Sequence, residues 1–561
     1  MKCYKDFREF LTVLEQQGQL LRIKDEVKFE PDLVSAGAAL AQIGDTAPAI
    51  LFDKIAGCID AQVAMNVHGS WPNHALALGM DKEASLKEQF LEFVRRFKLF
   101  PGELERVTTA PWQEVTVDKD INLFDLLPLF RLNRGDGGYY IDKACIISRD
   151  PDDWDSDDVE NVGVYRLMVQ GPNRIAIQPV PQHDIAIHLA HAEARGEDLH
   201  IAISISNEPI ILLMGATPLL YTQLEYKMAA VMQGEPYKVV KTAKGLDVPR
   251  GSEYILEGRV LARQRVLEGP FGEFPGYYSG GHKYPVIEID RVSHRKNPIF
   301  ESVYVGRPWT ELDFLQAMTT SAPIFIQLNK MFPEVVAVNA LYTHGLVVIV
   351  STRVRYGGFA KSVGMGVLTT PHGLGYAKFV IVVDEDVDPF NLNQVMWAIS
   401  VRANPTGDVV IIPNLAENLL DPAGVPSGMS SKMILDATTG ARPSRGLWRG
   451  PRHAGTNRCM AQQIVAPDQS FEEVSTAMAT STSSPICPRC RSATTATRST
   501  SPVAGVWTVF GCNTCFYMWR STEPEENTDP DKYPEVFRLN PADFANIPVV
   551  PTIPPLRPKT R

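Results

Sequence analysis

Apolar positions change their spacing several times along the chain, and each change predicts a different architecture. Phe7, Phe10, Leu11 and Leu14 recur at helical spacing, which predicts an amphipathic first helix. Asp6 can cap it, Glu9 completes a D-x-x-E box, and Gly18 suits its end. Residues 86–100 repeat the helical pattern within an N-terminal α/β segment, 1–116. From 117 the period shortens to two. Residues 174–180 (RIAIQPV), 199–206 (LHIAISIS) and 285–292 (PVIEIDRV) alternate, the apolar run 210–214 follows after a break, and 299–305 follows a turn at 294–298. One helix, about 218–233 and ended by Gly234, interrupts the strands. Strands with short polar turns predict a barrel-like or split-sheet β domain over 117–311.

Residues 312–437 change again. Strand-like runs at 337–339, 346–350 and 379–383 alternate with helical signals such as 393–401, which predicts a smaller α/β domain. Residues 438–484 show no periodicity and are rich in Gly, Arg, Ser, Thr and Ala, so they read as a linker. Residues 485–561 hold paired cysteines and a Pro-rich tail. The predicted class is therefore α+β with an appended small module.

Composition narrows the function. With 55 Lys+Arg against 65 Asp+Glu, the 561-residue chain carries a formal charge of −10 and no long basic run, which argues against a nucleic-acid partner. Apolar runs are strand-sized, short of the ~20 residues that a membrane helix needs. The N-terminus has no apolar signal region, so the expectation is a cytoplasmic protein.

Cys487, Cys490, Cys512 and Cys515 form two C-x-x-C knuckles. Four thiolates at that separation suit a structural Zn²⁺, with unligated thiols as the bland alternative. Glu268-Gly-Pro-Phe-Gly-Glu273 places two carboxylates among turn-forming residues and aromatic rings. It is either a solvated turn or a shaped loop offering an acid and a base. Asn161 and Arg166 sit five apart, so they share a site only if the strand bends, with Gly163 as the expected bulge. Asn161, His183 and Glu225 would make an oxygen-and-imidazole set for Mn²⁺ or Mg²⁺, although spacing does not force them together and His188 and His191 compete. The acidic run 384–388 follows a strand and reads as a solvated connection. Lys361 lies in a Gly-rich segment that is no Walker loop, because Ala360 stands where Gly is required.

Taken in order, Asn161-x4-Arg166, Gln182-His183, Glu225 before Gly234-Glu235-Pro236, and the 268–273 motif resemble the UbiD-type decarboxylases over about residues 1–437. The resemblance implies a central split barrel of flavin-reductase type, a prenylated FMN cofactor and reversible decarboxylation of unsaturated or aromatic acids. It implies Glu273 as acid/base and Arg166, paired with Glu268, for the substrate carboxylate. Asn161, His183 and Glu225 would hold Mn²⁺ (or Mg²⁺), with K⁺ nearby, against the cofactor phosphate. Val164, Tyr165, Arg166, Gln182 and Lys361 would complete the cofactor site, and His344 and Lys378 would read a phenolic hydroxyl. Within the family the chain looks most like the hydroxyarylic acid decarboxylases acting on 4-hydroxybenzoate, vanillate or protocatechuate, and 486–555 resembles their small third subunit. A flavin prenyltransferase as cofactor supplier and a homo-oligomer are further implications. The rivals are an FMN-dependent oxidoreductase on the same barrel and a zinc-ribbon binding module.

Overall fold

The computed structural model describes residues 3–181, 183–307, 309–342, 345–424, 428–440 and 485–557. Most of the linker expected at 438–484 therefore lies outside the described residues. Helix Phe7–Gln16 buries Phe7, Phe10, Leu11, Val13 and Leu14, and the Asp6 carboxylate accepts the Glu9 amide at its N-terminus. Gly18 follows it at φ +70°, in the left-handed region where glycine costs least. Helix Leu86–Phe97 is closed by a Ser85/Glu88 capping box. Between them strands Leu20–Val27, Ala49–Ile55 and Gln62–Met65 form a small mixed sheet. Its fourth strand is Ile299–Ser302, parallel to Gln62–Met65. The pattern grouped that segment with the central strands, but its partners lie in the N-terminal segment.

The central sheet has nine strands. Eight run in the order Tyr139–Ile141, Leu167–Gly171, Arg174–Ile177, His282–His294, Tyr254–Glu268, Leu199–Ile205, Ala144–Arg149, Glu160–Val164, every pair antiparallel. Strand Glu160–Val164 is one edge, yet the next strand in sequence, Leu167–Gly171, lies beside the opposite edge. In a flat sheet they would be six spacings, close to 30 Å, apart. Three peptide steps reach only about 11 Å. The sheet must therefore curl into a half-barrel, and Tyr165 and Arg166 bridge its seam.

Two expectations change here. The apolar run 210–214 is not a strand but part of helix Pro209–Gly215, with Pro209 in its first turn and residues 209–214 all buried. A run with no polar position has no period to read, and proline at the first helical position was the available signal. The following helix starts at Glu225, not near 218, and ends as expected at Gly234, φ +81°. Helix Asp184–Arg195 lies outside every element that the pattern predicts.

Beyond it, helix Glu311–Met331 leads into a five-stranded sheet ordered Val335–Tyr342, Val347–Thr352, Phe379–Asp384, Met429–Ala437, Val409–Ala416. Helices Phe359–Leu368 and Leu392–Arg402 accompany it. The acidic run after Phe379–Asp384 is a connection, with Asp384 and Asp386 paired to Arg402. Strands Thr495–Thr500, Thr508–Cys512 and Met518–Arg520 make a separate three-stranded sheet around the cysteines. Among the described residues no helix is long and apolar enough to cross a membrane.

Candidate active site

Arg166 organises the seam of the half-barrel. Its Nε and Nη2 donate to the two oxygens of Glu268 at 3.0 and 2.7 Å, and its Nη1 donates to Glu273 Oε1. The guanidinium lies 5.3 Å from the centre of the Phe271 ring and 6.0 Å from that of Tyr284. Glu268 ends strand Tyr254–Glu268 and is fully buried, with the Tyr140 hydroxyl donating to it at 3.0 Å. One buried cation thus faces two carboxyl groups, an excess of one negative charge. Burial pushes the Glu273 carboxyl up, and the adjacent Arg166 opposes that shift. A proton on Glu273 would relieve the excess, which suits a general acid.

The loop carrying Glu273 is built from its backbone outward. Glu273 N donates to Tyr277 O at 2.9 Å, and Gly272 bridges to Tyr278. Behind it the Asp136 carboxylate accepts the amides of Asn133 and Gly272, both at 2.8 Å. Burial raises Asp136 to about 7. Gly137 N donates to Pro270 O at 2.7 Å. From the C-terminal sheet's side Tyr376 approaches: burial and the charge of Glu273 push its hydroxyl up to about 12, and His372 stacks on its ring at 4.7 Å.

A second cluster lies just across the seam. The Asn161 amide donates to the Tyr165 hydroxyl at 3.4 Å, and the Tyr165 ring centre is 5.1 Å from that of His183. Glu225 accepts the Val162 amide at 2.9 Å, which places it beside Asn161. Burial drives the Glu225 carboxyl well above the usual range, with the charge of Asp184 adding to the shift. His183 is pushed down to about 4 by burial, and its buried Nδ1 has no hydrogen-bond partner. A neutral imidazole with a free nitrogen, an amide and a carboxylate form a donor set that fits a hard divalent ion.

The expected bulge at Gly163 is absent. Strand Glu160–Val164 pairs with Ala144–Arg149 in unbroken register through Gly163. The bend that separates Asn161 from Arg166 falls instead at Tyr165 and Arg166. Gly163 serves another purpose, because a β-carbon there would lie 2.3 Å from the Tyr165 hydroxyl. Val164 ends the same strand.

Not every expected residue joins these clusters. Lys361 donates to Gly407 O at 2.5 Å, and Lys378 pairs with Asp421 at 2.7 Å, both within the C-terminal sheet and its helices. Gln182 and His344 lie outside the described residues. Asp136, Tyr140, Tyr284 and Tyr376 had not been singled out. Asp136 directly precedes the pair Gly137-Gly138 and Tyr140 follows it by two positions, the same kind of turn signal that marked the 268–273 segment.

The four cysteine sulfurs lie within 4.8 Å of one another, with Sγ separations of 3.7 Å for Cys487 and Cys515 and 3.6 Å for Cys490 and Cys512. Zinc–sulfur bonds of ~2.3 Å give a tetrahedron with edges of about 3.8 Å. The residues fit a closed four-thiolate metal site.

Comparison with known proteins identifies the family. Three domain models of the 3-octaprenyl-4-hydroxybenzoate carboxy-lyases match in succession: N-terminal domain at residues 11–91, Rift-related domain at 105–308, C-terminal domain at 313–437. A phenolic acid decarboxylase of Bacillus subtilis (strain 168) is 58% identical over 452 residues, 80% of this chain and 96% of the relative. The chain belongs to the UbiD family. As a UbiD-family protein it is a carboxy-lyase. A phenolic acid decarboxylase of Escherichia coli O157:H7 is 56% identical over 452 residues, 80% of this chain and 95% of the relative. The closed form of Sedimentibacter hydroxybenzoicus vanillic acid decarboxylase superposes with a TM-score of 0.76 at 51% identity, covering 83% of this chain and 97% of that one. The UbiD-class enzyme HmfF from Pelotomaculum thermopropionicum, solved with FMN, gives a TM-score of 0.71 at 28% identity, covering 80% of this chain and 98% of that one. The cysteine segment has a match of its own, to the EcdD/BsdD phenolic detoxification family at residues 481–535. This UbiD chain therefore carries that segment in the same polypeptide.

Proposed function

We propose that the chain catalyses the reversible, non-oxidative decarboxylation of a para-hydroxylated aromatic acid (4-hydroxybenzoate, vanillate or protocatechuate) to the phenol and CO₂. The observation that carries this reading is the single buried Arg166 shared by Glu268 and Glu273. Nη1 of Arg166, now on Glu273, is the group a substrate carboxylate would take. Glu268 keeps the guanidinium in plane through its two bonds while that exchange occurs. Once Nη1 turns to the substrate, Glu273 loses the attraction that opposes burial, and its carboxyl then holds a proton. That proton is delivered from Glu273 to the ring carbon after CO₂ departs.

Prenylated FMN, when bound, supplies the electron sink for the charge left on the ring. Asn161, His183 and Glu225 would hold Mn²⁺ or Mg²⁺, with K⁺ nearby, against its phosphate, and Val164, Tyr165, Arg166 and Gln182 would line it. The free Nδ1 of His183 supports this assignment. Lys361 as a phosphate contact, and His344 and Lys378 as readers of the phenol, complete the reading. The units are taken as 1–116, a cofactor-binding split barrel at 117–311, 312–437, a linker at 438–484 and a zinc-ribbon module at 485–561 holding Zn²⁺ on its four cysteines. The protein would work in the cytoplasm as a homo-oligomer, loaded by a flavin prenyltransferase.

The test is co-expression with a flavin prenyltransferase, an absorbance spectrum of the purified protein, and CO₂ release from the three acids. Turnover of at least one supports the reading. Cofactor-loaded protein that releases CO₂ from none of them overturns it.

A further inference from the structure

The back of the 268–278 loop is covered by the cysteine module. Leu267, immediately before Glu268, packs in one apolar cluster with all four cysteines, Tyr517, Trp519 and Tyr533. Arg489, inside the first knuckle, is 2% exposed. A β-carbon on Gly137 would meet Gly269 O at 2.5 Å and Arg489 Nη1 at 3.1 Å, and one on Gly281 would lie 4.0 Å from Nη2. The guanidinium therefore fills the space between the two glycine segments flanking the loop. Its Nη1 is buried without a hydrogen-bond partner, its Nε reaches Phe537 O at 3.4 Å, and no carboxylate among the described residues pairs with it. A buried, unpaired cation is costly. Four thiolates around a divalent ion carry a net charge of two minus, so the loaded knuckle would supply the counter-charge beside it.

Phe537 adds a second contact from the same module. Its ring lies 4.9 Å from that of Tyr278, edge to face, and a β-carbon on Gly135 would lie 2.7 Å from it. Tyr278 in turn accepts the Gly135 amide at 3.0 Å. A third route runs through Arg131, which pairs with Glu523 of the module at 2.6 Å and donates to Met518 O and Asp136 O. Asp136 holds Gly272 N. Residues 487–537 thus touch the loop carrying Glu273 at Leu267, Tyr278 and Gly281, and reach the 131–137 segment behind it.

We propose that Arg489 and Phe537 are positioning residues for the 268–278 loop, so that the four-cysteine module sets where Glu273 stands in the reaction. This rests on the function proposed above, but part of its test does not require turnover. Arg489→Met and Phe537→Ala, each in the full chain with cofactor bound and metal content verified, are compared with wild type by deuterium uptake of peptides covering 268–278. The expected result is faster uptake there in both variants, with strand Leu199–Ile205 unchanged. Where wild type turns over, kcat of Arg489→Met should fall about tenfold, the size typical of lost outer support, and the limb of its pH profile set by Glu273 should move. Wild-type uptake and an unmoved pH profile in both variants overturn the proposal. If Arg489→Met does not fold, Phe537→Ala decides by the same two readouts. Absence of decarboxylation in wild type, with loop uptake altered as expected, would defeat the function and leave the positioning intact.

Discussion

Arg166 grips Glu268 at two points, 3.0 and 2.7 Å, but meets Glu273 through a single nitrogen. The asymmetry assigns the two carboxyl groups different tasks. Glu268 is held as a fixed counter-ion, whereas Glu273 needs to give up one bond to become free for proton transfer. Glu273→Gln keeps the size of the side chain and removes its titrating proton. A positioned acid is worth ~10²–10⁴ in rate. Decarboxylation and the exchange of solvent deuterium into the phenol ring should both fall by at least that factor, with cofactor absorbance unchanged. Near-wild-type exchange in a fully loaded variant would show that Glu273 is not the acid.

Glu268→Gln should act through binding as well as rate. It leaves Arg166 buried with one weakened partner, and breaking a buried ion pair costs about 3–5 kcal/mol. The expected outcome is a raised KM, a lowered kcat and an earlier denaturation midpoint. A variant with lowered kcat but unaltered KM and midpoint would contradict the fixed counter-ion role.

Much of this site could be read from the chain because its chemistry sits in short Gly- and Pro-rich segments with distinctive residues. The 268–273 motif and the two cysteine knuckles needed no tertiary information to stand out. What the sequence hid follows from distance and from burial. The run 210–214 is apolar at every position, so strand and helix look alike. Strand Ile299–Ser302 pairs with residues of the N-terminal segment, a partnership that no local pattern encodes. Arg489 reads as part of a metal knuckle remote from the catalytic motifs, yet its guanidinium fits behind the loop through space left by Gly137 and Gly281. Tyr376 comes from a helix end whose approach to Glu273 depends on how the C-terminal sheet packs.

Asp136 offers a test of burial through pH. Its native value is raised to about 7, against ~3.9 in an unfolded chain. Between those values the native state keeps a proton that the unfolded state has lost. More protons on the native side means that stability falls as pH rises. Wild type should therefore lose stability relative to Asp136→Asn from about pH 4 to about pH 7, and hold a constant difference above that. Urea denaturation of both proteins at pH 5 and pH 7.5 measures it. A difference that moves the opposite way would mean that the Asn133 and Gly272 amides outweigh burial.

The last prediction concerns His183 and Glu225. His183 immediately precedes helix Asp184–Arg195 and its ring lies against Tyr165, while Glu225 opens helix Glu225–Gln233 and accepts the Val162 amide, so two separate helices bring these side chains to the 162–165 segment. An ion held between them and a cofactor phosphate would anchor both, and removing one protein ligand would weaken metal and cofactor together. Losses of 10–100-fold in affinity are typical around such sites. Neither His183 nor Glu225 touches the Arg166 bonds, so the acid and its loop should survive either substitution. His183→Ala and Glu225→Ala are therefore expected to lower flavin absorbance and bound manganese in parallel, while deuterium uptake of the 268–278 loop stays close to that of wild type. Full absorbance with wild-type manganese in both variants would remove these residues from the cofactor anchor. Loss of manganese with absorbance retained would separate the metal from the phosphate and defeat the shared anchor.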